Sequence, residues 1–408
     1  MIFVHRVKAL GVSTAFVLSF VFACADSEVA SDPPPVLAPD AGPEILPDAG
    51  GEDVPDANSA GPSHCSRGGF CYVTMPVLSP LVAVSASSID DAWMLTKDTQ
   101  SVLRWDGTSL KQAYEYMGTD PAAITFRALW AEKKDDVWGV ATANDRYFIV
   151  RYAPNGNGPA EFREFPTEES APTNLPITWV NSVWGTPSSR ALWVAAGQTI
   201  LRFRDDGTDT LPVERFRLTG GSEGAYQWFS VWGFGDNDVY VGGAAYNRSF
   251  ATPAIAHYDG KTWSIKHLES TNETIYSLRG TAVGQTRQLW YSRWRDPKAI
   301  STRVVPIGAN GQLGNESFGS DTPSCNGRIG AAISPTDGWF SNGLLVCRWT
   351  GTKLEDVPTS LDGRPVVEQV NGIWAGGADD AWIVGASATG TGGFAALRTR
   401  ATAEGAKP

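Results

Sequence analysis

The sequence predicts an all-β fold, a seven-bladed β-propeller of four-stranded antiparallel blades, and three observations carry that prediction. First, a short element ending in an aromatic recurs seven times: IDDAW (Trp93), KDDVW (Trp138), RALW (Trp193), DNDVY (Tyr240), RQLW (Trp290), TDGW (Trp339) and ADDAW (Trp382). Successive aromatics are 45, 55, 47, 50, 49 and 43 residues apart, the period of a propeller or solenoid. Second, an apolar element precedes each copy by about eight residues, with Trp130, Trp184, Trp232 and Trp374 in four copies and Ser85, Arg279 and Ala331 in the others. Third, an aromatic followed by a turn comes after it: LRWDG (Trp105), VRYAPNG (Tyr152), LRFRDDG (Phe203), AHYDGKTW (Tyr258) and CRWTG (Trp349).

The apolar segments are short, rich in β-branched and aromatic residues, and bounded by Gly, Asp, Asn and Pro, which predicts strands joined by tight turns. The fourth repeat parses as strands over Tyr226–Phe234, Val239–Gly243, Pro253–Tyr258 and Thr262–His267. The seventh has strands over Gly372–Gly376, Ala381–Ala386 and Gly393–Arg398 and then too little chain for a fourth. Phe70–Val77, at the start of the domain, is expected to supply that outer strand and remove an open sheet edge. Residues 64–408 divided among seven blades give about 49 residues each, a kelch-like length.

The segments before residue 64 read differently. Arg6 and Lys8 followed by an apolar run to Ala23 form a secretory signal over 1–23. Val21-Phe22-Ala23-Cys24 has the form of a bacterial lipobox, which makes Cys24 the expected lipidated residue. Ala25 rather than Asp after it points to the outer membrane, facing the periplasm or the cell surface. Residues 24–63 repeat Pro-Asp-Ala at Pro39, Pro47 and Pro55 and hold nine acids and no base, the composition of an extended, self-repelling tether. The net charge is −11; the signal contributes +2 and the tether −9, which leaves −4 on residues 64–408. So mild a charge argues against a nucleic-acid partner.

The repeats S-V-W-G…D-D-V-W…Y-D-G-x-x-W, behind a lipobox and a PDAG-type tether, resemble the tryptophan-rich β-propeller lipoproteins of the myxobacterial type. The resemblance covers nearly the whole mature chain and implies the propeller and the lipid anchor. It implies no activity, because that family is largely uncharacterised. Kelch repeats are a weaker likeness, since the Gly-Gly pair after the second strand occurs only at Gly242–Gly243. The Asp-box of sialidase-type propellers is absent.

Cys65, Cys71, Cys325 and Cys347 are an even set in an exported chain and predict two disulfides. Proximity favours Cys65–Cys71 and Cys325–Cys347, and the other two connectivities stay open. No metal or other cofactor is expected; the one alternative is calcium at Asp236-Asn-Asp238, which alone supplies too few oxygens. The acids Asp90/Asp91, Asp135/Asp136, Asp236/Asp238 and Asp379/Asp380 are expected to bond backbone amides and stabilise the turn between first and second strands. Thirteen of the sixteen Trp fall in repeat register and are expected in the core. Gly220-Gly221-Ser222-Glu223-Gly224 matches G-x-S-x-G but lacks the strand-to-helix setting of a nucleophile elbow.

What the repeat does not explain gathers on one face, where the second-to-third and fourth-to-first connections run: Pro166–Thr178, Thr219–Gln227, Ala245–Thr252 and Arg293–Ala299. Trp179, Trp228 and Trp294 lie out of register there, beside Tyr226, Tyr246, Arg248, Arg279, Arg293 and Arg295. Trp, Tyr and Arg are enriched in binding hot spots, and loops on a rigid scaffold carry function. These nine residues are the candidate ligand site. The expected function is a non-catalytic, monomeric binding scaffold for a glycan, peptide or envelope protein, held to the membrane by its lipid. The alternative is a polysaccharide-active lyase or hydrolase using the Arg/Tyr cluster; no complete catalytic constellation is present.

Overall fold

The computed structural model describes residues 64–118, 124–154, 158–170, 183–186, 189–219, 225–247, 250–268, 272–295, 299–320, 329–361, 364–388 and 392–405. They form seven antiparallel sheets, the blades of a propeller. Two short strands, β1 (His64–Cys65) and β2 (Cys71–Tyr72), precede the first blade. Blade 1 is β3 (Leu81–Ser88), β4 (Asp91–Thr96), β5 (Ser101–Trp105) and β6 (Leu110–Glu115). Blade 2 is β7 (Ile124–Lys133), β8 (Asp136–Ala143), β9 (Arg146–Pro154) and β10 (Ala160–Ser170). Blade 3 is β11 (Val183–Thr186), β12 (Ala191–Ala196), β13 (Thr199–Arg204) and β14 (Val213–Phe216). Blade 4 is β15 (Ala225–Gly235), β16 (Asp238–Asn247), β17 (Phe250–Tyr258) and β18 (Trp263–His267). Blade 5 is β19 (Thr274–Val283), β20 (Thr286–Arg295), β21 (Ala299–Ile307) and β22 (Ser317–Ser320). Blade 6 is β23 (Ile329–Ser334), β24 (Asp337–Ser341), β25 (Val346–Trp349) and β26 (Leu354–Val357). Blade 7 is β27 (Val367–Ala375), β28 (Ala381–Ser387) and β29 (Gly393–Arg398), followed by the short helix α1 (Arg400–Gly405).

The first strand of each blade packs on the first strand of the next, and β27 packs on β3. In the seventh sheet β2 pairs with β29, Cys71 opposite Leu397 and Tyr72 opposite Ala396, and β1 lies outside β2. The expected eight-residue strand over Phe70–Val77 is therefore paired over two residues. Val73 adds one more bond, from its N–H to the Ala395 carbonyl (3.0 Å), and Pro76 beyond it has no N–H to give. Cys65 and Cys71 form a disulfide. Cys347 is disulfide-bonded as well; Cys325 lies outside the described residues. Blade 4 departs from the predicted bounds at its far end. Its second and third strands run on to Asn247 and resume at Phe250, so much of the connection read as Ala245–Thr252 is hairpin, because the ladder continues through Ala244–Tyr246.

The core is divided into seven clusters, one at each blade junction. Every junction takes the second-strand aromatic of the preceding blade, Trp93, Trp138, Trp193, Tyr240, Trp290, Trp339 or Trp382, each no more than 2% exposed. Both faces of a second strand are covered, which is why these strands read as continuous apolar runs.

The acids of the first turn do something other than what the sequence suggested. Side chains alternate along a strand, so an acid two residues before the aromatic shares its face. The third strand places a basic side chain directly opposite that aromatic: Arg104 opposite Trp93, Arg151 opposite Trp138, Arg202 opposite Trp193, His257 opposite Tyr240 and Arg348 opposite Trp339. Each guanidinium lies over its indole, at 4.6 Å for Arg104, 4.3 Å for Arg151, 5.0 Å for Arg202 and 5.8 Å for Arg348; His257 stacks on Tyr240 at 4.3 Å. The acid then holds the basic side chain. Asp91 accepts from Arg104 Nε and Nη2 (3.0 and 2.9 Å), Asp136 from Arg151 (3.0 Å) and Asp337 from Arg348 (3.2 Å), while Asp238 lies 2.8 Å from His257 Nε2.

An acid one or two residues earlier reaches back to the preceding blade. Asp236 pairs with Arg202 and accepts from Trp193 Nε1 (3.2 Å), Asp135 lies 4.0 Å from Arg104, and Asp379 lies 3.7 Å from Arg348 and 2.8 Å from Arg398. Backbone-amide capping does occur, but in the turn between third and fourth strands. There Asp106 accepts from the amides of Thr108 and Ser109, and Asp259 from those of Lys261 and Thr262.

On the inner strands the Gly after the Trp has a defined use. A Cβ on Gly185 would fall within 2.5 Å of Trp130, and one on Gly233 within 2.5 Å of Trp184; Gly280 stands in the same relation to Trp232. The inner Trp of blades 2, 3 and 4 thus each lie over the next blade's Gly.

Two outcomes follow from this packing. Gly233→Val should lower stability by about 1–3 kcal/mol through overpacking, read as a loss in the chemical-denaturation midpoint. Burial alone would raise the Asp238 carboxyl, but the hydrogen bond from His257 and the charge of Arg287 outweigh it and hold it below the ordinary range. A depressed folded value gives stability that is full above the unfolded value near ~4 and is lost as pH falls through the folded value. Asp238→Asn should therefore melt lower at pH 7, by roughly 1–3 kcal/mol, and the two melting curves should converge in acid.

Candidate functional site

The turns between first and second strands and between third and fourth lie at one end of the blades. The other two connections lie at the opposite end, here called the upper face. The candidate residues divide by how they meet that face. Tyr226 and Trp228 belong to the core of the junction between blades 3 and 4: Trp228 is fully buried and Tyr226 nearly so. Their rings stack at 5.0 Å, Tyr226 stacks in turn on His267 (5.8 Å), and its hydroxyl is 2.6 Å from His267 Nε2. The Trp228 N–H donates to the Gly197 carbonyl (2.7 Å), tying the two blades. Both belong to the inner strand itself, since β15 begins at Ala225, seven residues before Trp232, with a bulge between Trp228 and Ser230.

Arg293 is buried on β20, 3.3 Å from Glu273 and ion-paired with Glu316, which also accepts from the Tyr291 hydroxyl. Burial pushes the Tyr291 phenol far above its usual range, and the Glu316 hydrogen bond adds to the shift. This is a closed polar core rather than an open anion receptor. Arg295 lies on β20 opposite Ala299. Trp179, Arg248 and the G-x-S-x-G segment over 220–224 lie outside the described residues.

Tyr246 and Trp294 do converge on the upper face, both half-buried. The Tyr246 hydroxyl shares a hydrogen bond with Thr274 Oγ1 (2.9 Å), and Thr274 is the cross-strand partner of Trp294. Burial raises the Tyr246 phenol. Trp294 meets Tyr276 edge-on at 5.2 Å, and Tyr276 leans on buried Phe229 at 5.0 Å. Beside them stands Phe250, 57% exposed, at the hairpin of blade 4, where the Ala251 N–H donates to Asn272 of the fifth repeat (3.0 Å).

Phe250 is a candidate that the sequence alone did not single out, although a lone Phe in the polar hairpin NRSFATP was its signal. Four more large apolar side chains are exposed on the same face: Leu78, Met117, Leu344 and Leu345. Among the described residues one other, Val283, is on the opposite end. That end instead carries the Arg–Asp pairs and buried Asp205, which is ion-paired with Arg151, Arg163 and Arg190.

Arg279 lies elsewhere, on the axis. The inner strands enclose a cavity of about 190 Å³ whose wall includes Trp130, Trp232, Trp374 and Arg279. The guanidinium sits over Trp232 at 5.5 Å and donates to the Leu278 carbonyl (3.1 Å). Burial pushes its pKa down to about 10, so it stays charged at neutral pH. The expectation that the in-register Trp are core holds for the six second-strand Trp and for Trp105 and Trp184, but these three inner-strand indoles border the cavity. No cluster of three or more His, Cys, Asp or Glu able to share a metal ion occurs among the described residues; Asp236 and Asp238 turn their oxygens to Arg202 and to Arg287 and His257.

No family model and no curated protein matches the chain. Solved structures do. One titled YCF48 bound to D1 peptide has a TM-score of 0.51 at 12% identity, over 81% of this chain and 96% of that one. A streptogramin B lyase has a TM-score of 0.52 at 15% identity, over 81% and 96%. A chain of the mitotic checkpoint complex has a TM-score of 0.54 at 11% identity, over 86% and 99%. These are likenesses of fold: the chain shares the propeller architecture with proteins whose titles name quite different roles.

Proposed function

We propose that the protein is a non-catalytic binding scaffold that holds an apolar peptide or protein segment on its upper face, centred on blades 4 and 5. The observation that carries this reading is the distribution of exposed apolar side chains. Leu78, Met117, Phe250, Leu344 and Leu345 stand on the upper connections, while the lower end is occupied by ion pairs. Exposed large apolar groups that recur on one face mark interaction surfaces. Aliphatic and Phe side chains suit a peptide better than a glycan, which needs flat Trp or Tyr faces with polar partners. Phe250, Tyr246 and Trp294 form the aromatic centre and the four aliphatic residues the periphery. The solved peptide complex among the structures of the same fold agrees with this use of a propeller. Of the Arg/Tyr cluster that a polysaccharide lyase or hydrolase would use, Arg293 and Tyr226 are committed within the core.

The scaffold is proposed to sit at the outer membrane, held by lipid on Cys24 at the end of the acidic tether. No helix of the described residues is long and apolar enough to cross a membrane. Cys24→Ser should move the protein from the membrane to the soluble fraction and abolish incorporation of labelled palmitate; membrane retention without label would overturn the anchor.

A photo-crosslinking amino acid at position 250 should trap a discrete partner in intact cells, and one at position 283, on the opposite end, should not. Phe250→Ser with Leu344→Ser should reduce crosslinking from position 294 at least tenfold without lowering the melting temperature. Equal trapping at 250 and 283, or none at 250, would refute the upper-face reading.

A further inference from the structure

We infer that the Cys65–Cys71 disulfide is a redox-sensitive latch: a dithiol that reaches the exposed Cys65 sulfur frees the loop between the two cysteines and opens the junction of blades 6 and 7. The other blades take their fourth strand from the chain that has just made their third, and those strands are four to eleven residues long. Blade 7 takes its outer strand from the opposite end of the domain, and β2 is two residues long. So short a ladder adds little against the entropy of bringing two distant segments together. The rest of the hold comes from the loop Ser66–Phe70.

The disulfide closes that loop, and the loop makes the contacts. Ser66 Oγ and the Gly68 N–H both donate to the Pro358 carbonyl, just beyond the outer strand of blade 6 (2.8 and 3.2 Å). On the other side the Gly68 carbonyl accepts from Arg398 Nε (2.9 Å) and the Gly69 carbonyl from Thr402 Oγ1 of α1 (2.8 Å). The fit is close. A Cβ on Gly68 would fall 2.3 Å from the Pro358 oxygen, and Gly69 has a φ of +79°, in the left-handed region. Phe70, fully buried, meets Trp339 edge-on at 5.6 Å, and Arg398 lies over the same indole at 5.1 Å. The loop thus joins blade 6, blade 7 and the C-terminal helix around the aromatic that fills their junction.

The two sulfurs differ in access. Cys71 is fully buried and Cys65 is exposed, so an incoming thiolate attacks Cys65. Exposed disulfides are the labile ones. The thiolate of the dithiol bonds to Cys65 Sγ, the Sγ–Sγ bond breaks, and the Cys71 sulfur leaves with the electron pair and takes up a proton. The second thiol of the reductant then displaces Cys65, which also leaves as a thiol. The reductant ends as a cyclic disulfide, and its two electrons now reside on the two cysteines. Cys347, in the other disulfide, is fully buried and should be reduced later. The latch does not depend on what the upper face binds.

Treatment of the oxidised full chain with graded dithiothreitol, read by alkylation mapping and by hydrogen exchange, tests the latch. Cys65 and Cys71 should become alkylated at a reductant concentration at least tenfold below that needed for Cys347. Amides of β2 and β29 should then exchange at least tenfold faster, while those of β12 and β13 in blade 3 keep their rates. Reoxidation with oxidised glutathione should restore slow exchange. Cys65→Ser should exchange at β2 and β29 as the reduced wild type does, and that reduction of already folded wild type covers the case in which the variant fails to fold. Reduction of Cys347 first, unchanged exchange at β2 and β29 once Cys65 and Cys71 are reduced, or equal acceleration in every blade would overturn the proposal.

Discussion

The rest of the structure depends on one contact, the aromatic side chain of each blade's second strand pressed into the next blade. A propeller has no core common to all its sheets, so stability is gathered at seven separate junctions, and each needs a large, rigid side chain of fixed orientation. Trp supplies the area. In blades 1, 2, 3 and 6 an arginine on the neighbouring strand covers the indole and an acid fixes the arginine. A further acid passes the interaction to the adjacent blade, as Asp236 does between Arg202 and Trp193 on one side and its own blade on the other. Guanidinium groups so nearly buried would be a burden if left single; here they are both paired and stacked.

The fifth repeat shows what happens when the device lapses. Val304 stands opposite Trp290 and Gln288 takes the place of the acid. Blade 5 keeps the buried aromatic but anchors itself at the other end of its sheet, through Arg293, Glu273, Glu316 and Tyr291. The same blade breaks the inner-strand Trp pattern with Arg279. Departure from the repeat and polar chemistry thus coincide in one blade, next to the half-buried Tyr246 and Trp294.

The two ends of the molecule are chemically unlike for a topological reason. Turns at the lower end are short and must hold the acid that clasps the cation, so their residues are fixed by packing. Connections at the upper end have no such duty, and they are where exposed Leu, Met and Phe side chains are found.

The sequence by itself determined the blade count, the strand order within a blade and the aromatic that fills each junction. These depend on periodicity and on alternation along a strand, which are local properties. It also contained the clasp of base and acid, in LRW, VRY, AHY and CRW set against IDDAW, KDDVW, DNDVY and TDGW, because residues opposite one another across a hairpin follow from register alone. Only the tertiary structure decided which acids face their own blade and which the preceding one, since that depends on how blades are rotated about the axis. It also decided that Tyr226, Trp228 and Arg293 are interior and that Phe250 is not. A residue near the end of a strand reads the same from sequence whether a neighbouring blade covers it or leaves it open. The axial cavity is likewise invisible in any one repeat, because it is the space left when seven side chains from seven repeats are brought to a common centre.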